Sequence, residues 1–288
     1  MKHTPKFSII TVTYNAASVI EPTLRSIAAQ TYRNFEFLLI DGGSKDDTVE
    51  KVRNSGVEIA TLISERDKGL YDAMNKGIAH ATGDYLCFLN AGDSFHAPDV
   101  LEKMVAAIPE QETLPDILYG ETAEVDDERN FVRMRRLQAP ERLDWRSFRH
   151  GMLVCHQAFF ARRTLAPKYD LAYRFSADVD WCIKVMKESK DIVNTHIVIV
   201  DYLQNGLSLQ NHRASLIERF RIMAKHYGLL PTLLRHAWFV VRAIIKRYLT
   251  NKKYILCLPK RPTLNAAACS SRAWVADCCF SSETPRQA

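Results

Sequence analysis

The chain has 288 residues, 47% of them hydrophobic and 25% charged. That is enough apolar material for one large α/β domain, or for a core with a small appendage, and it excludes wholesale disorder. The net charge of +6 is unevenly placed: residues 212–261 hold twelve Lys or Arg against one acid, Glu218, a local balance of +11 that leaves the rest at −5. The basic stretch implies a local anionic partner, and with no recognised reading module beside it, nucleic acid is set aside. The seven cysteines (Cys87, Cys155, Cys182, Cys257, Cys269, Cys278 and Cys279) form no CxxC pair and no zinc spacing, which reads as reduced thiols in a cytosolic compartment. The opening MKHTPKFSIITVTYN has too short an apolar run for a signal peptide.

In chain order, Phe7 to Thr13 (FSIITVT) reads as a strand covered on both faces. Ser18 is placed to cap a helix carrying Ile20, Leu24, Ile27 and Ala28 inward, with Pro22 tolerated near its first turn. Phe35 to Ile40 is a second buried strand ending at Asp41, and Gly42, Gly43 and Ser44 turn the chain into a short helix from Thr48 to Val52. Ile59 to Ile63 is the third strand, followed by a helical stripe of Leu70, Met74, Gly77, Ile78 and Ala81. Tyr85 to Leu89 is the fourth, and a helix starting at Pro98 turns Val100, Leu101, Met104, Val105 and Ile108 inward. Four βα repeats in about 110 residues predict a parallel, doubly wound, Rossmann-like sheet flanked by helices. Beyond Gly120, the charged run Glu121 to Arg136 reads as a hairpin or mobile loop, Met152 to Phe160 as a strand, and Asp178 to Met186 as a helix start.

Open α/β sheets bind ligands at the carboxyl ends of their strands. Tyr14 and Asn15 follow strand one, Asp41 and Gly42–Gly43–Ser44 follow strand two, and Asn90–Ala91–Gly92–Asp93 follow strand four. A single acid at such an end is usually turn chemistry; three polar clusters on one edge make a site. The residue types suit a nucleoside diphosphate. An Asp accepts from a base N–H, glycines let backbone approach phosphate, and a loop carboxylate holds Mg²⁺ or Mn²⁺. No GxxxxGK[ST] or GxGxxG is present, which disfavours phosphate-loop and dinucleotide enzymes. Arg66, Asp67 and Lys68 precede the third helix, within reach of base or phosphate.

SIITVTYNAASVIEPTLRSIAAQTYRNFEFLLIDGGSKDDT and SERDKGLYDAMNKGIAHATGDYLCFLNAGDSF resemble the two opening blocks of family 2 glycosyltransferases with the GT-A fold, nearest the bacterial exopolysaccharide and lipopolysaccharide subgroup. The resemblance covers residues 7 to about 100 closely and thins by about 210. It implies an inverting transfer from a nucleotide-diphosphate sugar. Asp41 matches the nucleobase-contacting Asp and Tyr14 a residue near the base; Thr13, Asn15, Asp67, Asn75, Asn90 and Gly92 complete the implied donor side. Asn90 to Asp93 matches the DxD metal block, with Asp93 as its retained metal ligand for Mn²⁺ or Mg²⁺ and with neutral Asn90 and Gly92 where other members carry acids. FSADVDWCIKVMKE resembles the acceptor-side acidic motif: Ala177 replaces a Glu, and Asp178 matches the general base that takes the acceptor hydroxyl's proton. The plain alternative is that Asp178 or Asp180 caps the helix. His156 and Gln157 in VCHQAFFARR, together with Asp180, fall on the implied acceptor side, and Asn205 to Ser208 resembles a diphosphate-side segment.

In TLLRHAWFVVRAIIKRYL (232–249), Arg235, His236, Arg242, Lys246 and Arg247 fall within roughly 140° of a helical wheel. It is too short to span a bilayer but suited to peripheral contact with an anionic membrane. The expected organisation is a GT-A catalytic domain over 1–211 (nucleotide-sugar half 1–120, acceptor half 121–211), a basic amphipathic helical extension over 212–257, and a disordered or loosely packed tail over 258–288. The expected reaction moves a sugar from a nucleotide-diphosphate donor to a glycan or polyprenyl-diphosphate-linked acceptor at the inner face of the cytoplasmic membrane. The rivals are a non-catalytic sugar-nucleotide or glycan binder on this fold, and a sugar nucleotidyltransferase, which would need a glycine- and basic-rich loop that TVTYNAASVIE lacks.

Overall fold

The computed structural model describes residues 4–110, 112–204, 212–238 and 241. Residues 1–236 form one compact unit and 237–288 a second, of which only 237, 238 and 241 are described. The expected tail 258–288, the segment Asn205 to Ser208 and most of the basic stretch 232–249 lie outside the described residues.

The amino-terminal half is built as its sequence predicts. β1 (Phe7–Thr13) is buried at all seven positions and pairs in parallel with β2 (Phe35–Asp41) on one side and β4 (Tyr85–Phe88) on the other. β3 (Thr61–Ser64) adds in parallel to β2. Strands with both faces covered need continuous apolar character, and FSIITVT, FEFLLID and YLCF supply it. The helices α1 (Ile20–Ala28), α2 (Thr48–Arg53), α3 (Leu70–His80) and α4 (Val100–Ala106) cover them. At Gly77 of α3 a Cβ would lie 2.5 Å from the Ile10 side chain, so only glycine lets this helix approach β1. Ser18 does not cap α1. Val19 holds the N-cap position without a side-chain bond, and the Ala16 carbonyl accepts from the N–H groups of Val19 and Ile20 at 3.0 Å each.

The second half adds mixed pairing. β5 (Ser94–Phe95), β6 (Ile117–Val125), β7 (Phe131–Met134), β8 (Phe159–Arg162) and β9 (Ile192–Leu203) complete the sheet, whose order is β3-β2-β1-β4-β8-β6-β9-β5, with β7 paired to β6. β8 lies antiparallel between β4 and β6, and β6 runs parallel to β9. The charged run from Glu121 to Arg136 is the β6–β7 hairpin. The strand expected over 152–160 starts only at Phe159. Met152, Val154 and Cys155 are buried in irregular chain, and His156–Ala158 form a 3₁₀ turn. An apolar run of this length records burial, not ladder pairing.

α5 (Ala177–Glu188) and α6 (His212–Tyr227) pack on this body. The Glu218 carboxylate of α6 accepts from the backbone N–H groups of Arg174, Phe175 and Ser176 at 2.8, 2.8 and 3.0 Å, immediately before α5. No helix among the described residues is long and apolar enough to cross a membrane.

Candidate active site

Parallel pairing brings the carboxyl ends of β1, β2 and β4 to one edge. Thr13 lies opposite Asp41 in the ladder, and Leu89, just past β4, donates its N–H to the Ile10 carbonyl at 3.0 Å. The first two loops are stitched together. Asn15, in the left-handed region at φ 49° that Asn tolerates, donates its N–H to Ser44 Oγ at 2.8 Å and accepts from Lys45 N–H at 2.9 Å through Oδ1. Tyr14 is 64% exposed at the rim.

Asp41 is fully buried and saturated. Its carboxylate accepts from Thr13 Oγ1 (3.0 Å), Gly43 N–H (3.1 Å), Ser44 N–H (2.9 Å), Ser64 Oγ (2.7 Å) and the Ser44 hydroxyl. Burial pushes its pKa up, and the donors of Ser44, Ser64 and Thr13 more than offset this, so it stays below the ordinary value. Asp67 lies beside it: a Cβ on Gly42 would come 2.5 Å from Asp67 Oδ2, and Oδ1 accepts from Gly69 N–H at 2.8 Å. Asn75 is turned elsewhere. Its carboxamide clamps the Tyr169 backbone, accepting from the N–H at 2.7 Å and donating to the carbonyl at 3.1 Å.

The third loop treats its acid differently. Gly92, immediately before Asp93, takes φ 97°, a left-handed conformation that glycine adopts readily. Asp93 is 4% exposed and accepts from Leu203 N–H at 3.0 Å and Gln157 Nε2 at 2.7 Å. Burial raises its pKa to about 7, against the pull of those two donors and of the Arg129 charge. Arg129, at the tip of the β6–β7 hairpin, bonds the Gly92 carbonyl and Ser94 Oγ. The buried Asn90 Oδ1 has no hydrogen-bond partner among the described residues. Among the described residues no three His, Cys, Asp or Glu side chains form a metal-ligating group. One carboxylate and one orphaned carbonyl oxygen nonetheless suit a hard cation that draws its remaining ligands from diphosphate oxygens and water.

The 3₁₀ turn sends His156 and Gln157 in different directions. Gln157 bridges to Asp93. His156 packs inward, stacked on Phe88 with ring centroids 5.0 Å apart and bonded to the Tyr169 hydroxyl at 2.7 Å; burial lowers its pKa to about 4, keeping it neutral. His156 is a core residue that touches neither loop carboxylate.

Asp178 sits in the first turn of α5, half-buried, and makes no cap bond. Its Oδ1 accepts from the Tyr71 hydroxyl at 3.1 Å, while Oδ2 has no hydrogen-bond partner among the described residues. Tyr71 is held by stacking on Tyr169, centroids 5.4 Å apart. Asp180, two residues on, faces the other way. It meets Lys184 at 2.6 Å, His226 at 2.7 Å and Lys225 at 3.3 Å, and these partners overcome its burial and hold its pKa far below the usual range. Residues two apart on a helix point about 200° apart, so Asp178 and Asp180 cannot share a task. The acceptor-side expectation for Asp180 therefore gives way to a tie between α5 and α6.

Two buried groups feel the charges of both Asp93 and Asp178. The Tyr202 hydroxyl, at the end of β9, is pushed up in pKa by burial and then by the charges of Asp93, Cys155 and Asp178, with Arg135 opposing. The buried Cys155 thiol likewise feels both Asp93 and Asp178. Coulomb interactions decay with distance, so both carboxylates lie in the neighbourhood of Tyr202 and Cys155. A surface depression between α1 and α2, lined by Glu21, Arg25, Asp47 and Lys51 among others, contains none of these residues. Sequence reasoning missed Tyr71, Tyr202 and Arg129. The one available signal was the β-branched run IVNTHIVIVDYL, which marks β9 and places Tyr202 at its end.

Comparison with known proteins adds a family to this geometry. The glycosyl transferase family 2 model matches residues 8–169, covering β1 through the Tyr169 clamp. A PGL/p-HBAD biosynthesis glycosyltransferase of Mycobacterium bovis is 38% identical over 211 residues, spanning 70% of this chain and 78% of the relative. The amylovoran biosynthesis glycosyltransferase AmsB of Erwinia amylovora is 30% identical over 197 residues, 63% of this chain and 64% of its own length. Among solved structures, the mannosyltransferase PcManGT from Pyrobaculum calidifontis, in complex with GDP-Man and Mn²⁺, superposes with a TM-score of 0.54 at 18% identity, covering 89% of this chain and 82% of that one. The sheet is the GT-A sheet, and the matched span holds the strand-end loops while Asp178 follows just beyond it. The polar clusters gathered on one sheet edge are thus those of a glycosyltransferase, and the chain belongs to glycosyl transferase family 2.

Proposed function

We propose that this enzyme transfers a sugar, with inversion, from a nucleoside-diphosphate sugar to a hydroxyl of a glycan carried on a polyprenyl diphosphate lipid, acting from the cytoplasmic side of the membrane. The observation that supports it most is the loop carboxylate Asp93 at the carboxyl end of the sheet, with the helix carboxylate Asp178 near enough that both act on Tyr202 and Cys155. Its similarity to glycosyltransferases of PGL/p-HBAD and amylovoran biosynthesis supports a surface glycan or glycolipid product, and the GDP-Man complex of PcManGT supports the donor class.

In this reading the saturated Asp41 fixes the Gly42–Gly43–Ser44 turn on which the nucleobase rests. Asp67 beside it accepts from a base N–H, and the exposed Tyr14 ring flanks the base. The small residues Gly92 and Ala91 leave room for the diphosphate. Asp93 and Asn90 Oδ1 would hold a divalent cation, which when bound neutralises the charge developing on the departing diphosphate. Asp178 does the proton work. Its Oδ2 takes the acceptor hydroxyl's proton as that oxygen bonds to the anomeric carbon, and the carbon's bond to the diphosphate oxygen breaks with the electron pair leaving on the nucleotide. Tyr71 holds Oδ1 and leaves Oδ2 for the acceptor. Gln157 steadies Asp93 from the acceptor side.

A thermal-shift panel of UDP-, GDP- and dTDP-sugars with and without Mn²⁺ names the donor, since a ligand that binds the native state raises its midpoint. With that donor, Asp178→Asn should abolish transfer and keep the nucleotide shift. Asp93→Ala should lose the Mn²⁺-dependent part of the shift. An Asp178→Asn enzyme that transfers at the wild-type rate would remove the base from the mechanism.

A further inference from the structure

A second concentration of charge lies far along the chain from the strand-end loops, around a stacked aromatic pair. Trp145 and Tyr227 lie face to face, ring centroids 5.6 Å apart and planes 10° apart. Arg146 and Arg149 approach the Trp145 ring at 5.1 and 5.5 Å, Arg149 also covers Tyr227 at 5.2 Å, and Lys187 Nζ is 4.8 Å from the Trp145 ring. Arg235 reaches the same place, its Nη1 3.5 Å from His150 Nδ1. None of these four cations forms an ion pair among the described residues. The acids nearby are engaged: Asp144, whose charge acts on Tyr227, binds the Ser147 N–H at 2.8 Å, and Asp180 is held by Lys184, Lys225 and His226.

Arg235 belongs to a helical turn that also carries apolar surface. Gly228, at φ 91°, ends α6 and reverses the chain into a helix over 229–236, which folds back so that His236 meets Phe220 with ring centroids 5.1 Å apart. On this helix Leu229, Leu230, Leu233 and Leu234 are 58%, 68%, 47% and 65% exposed. At 100° per residue they share about 140° of arc, while the buried Thr232 faces the body. Soluble surfaces rarely present four adjacent leucines without a use. A second copy of the chain is a poor occupant, because a two-fold contact would set this cationic rim against itself. Leucines beside unpaired arginines match a bilayer: the acyl boundary takes the apolar stripe, and lipid phosphates take the guanidinium groups.

We infer that the helical hairpin 212–236 and the Trp145–Tyr227 cradle form a docking face for an anionic phospholipid bilayer, with Leu229, Leu230, Leu233 and Leu234 inserted and Arg146, Arg149, Lys187 and Arg235 on the headgroup phosphates. The inference deepens the lipid-linked-acceptor reading above, because it brings the enzyme to the surface where such an acceptor resides. It differs from the sequence expectation in position: the apolar stripe starts before residue 232, and half of the cationic set comes from chain preceding α5.

Flotation of the full chain with phosphatidylcholine vesicles, and with the same vesicles doped with phosphatidylglycerol, tests it without donor or acceptor, so its failure leaves the transferase assignment standing. The wild type should float with the anionic vesicles, and less so as salt rises. Leu230→Ser with Leu234→Ser should weaken partitioning roughly tenfold or more, and Arg146→Gln with Arg235→Gln should erase most of the preference for anionic lipid. Both pairs lie at the surface and should keep the wild-type circular dichroism and nucleotide shift. Equal flotation of all variants would overturn the inference. So would loss of a dimer in sedimentation by the leucine variant with vesicle binding intact, or a thermal shift with inorganic phosphate in a wild type that does not float.

Discussion

Two buried carboxylates on one sheet meet opposite treatment. Glu36, near the amino end of β2, accepts from Lys6 Nζ, Ser8 Oγ, Thr82 N–H, Thr82 Oγ1 and Gly83 N–H, all within 3.1 Å. Burial alone would raise its pKa, but these donors bring it down to about 2. Asp93, beyond the carboxyl end of β4, has two donors and a pKa raised to about 7, with the orphaned Asn90 Oδ1 beside it. The amino end of the sheet spends its polar groups on stability. The carboxyl end leaves some unmet, as a site that must bind ligand does.

The comparison breaks most visibly by removing one carboxyl at a time. Asp178→Asn should lower kcat by roughly 10²–10⁴-fold while leaving the melting midpoint nearly unchanged, because its only described partner is one Tyr71 hydroxyl. Glu36→Gln should act the other way, leaving kcat of the folded enzyme intact and destabilising the fold by about 3 kcal/mol at neutral pH. The sign follows from its lowered pKa: this stabilisation is present above about pH 4.5 and is lost as pH falls toward 2. Denaturant titrations of both proteins across that window should converge at the acid end. A constant gap would put the effect down to packing.

Asp93→Asn gives a stability effect of opposite sign. An acid whose folded pKa is raised from 3.8 to about 7 makes the fold less stable as pH climbs between those values. In EDTA at pH 8 the Asn variant should therefore be more stable than the wild type, by about 4 kcal/mol, with the advantage gone by pH 4. The Gln157 amide can turn to accept from the new NH₂ group. Smallest is Tyr71→Phe. Loss of its hydrogen bond should lower kcat roughly tenfold, with little change in KM. A KM effect alone would make Tyr71 a packing residue.

The amino-terminal half was legible because β1, β2 and β4 are buried along their length and end in polar turns. Period, burial and turn chemistry agree there, so Asp41 and Asp93 could be placed at strand ends before any coordinates. The acceptor half was less legible because its elements are made by tertiary contact. Met152 to Cys155 is as apolar as a strand yet stays irregular, and the 3₁₀ turn that follows is what points Gln157 at Asp93. Nothing in the sequence singles out Tyr71, and only its partner across 107 residues gives it a role. Asp178 and Asp180 look equivalent in ADVDW and are separated only by what each faces: a tyrosine on α3 or the basic side of α6.

The three amides gripped by Glu218 carry one more consequence. They form the seat from which the Asp178 helix rises, and the carboxylate that fills the seat comes from the basic carboxyl-terminal stretch. A chimera grafting another enzyme's tail after residue 211 would therefore inherit a proton acceptor with a loosened mount, and should recover its turnover only when the donor tail carries an acid in register with Glu218.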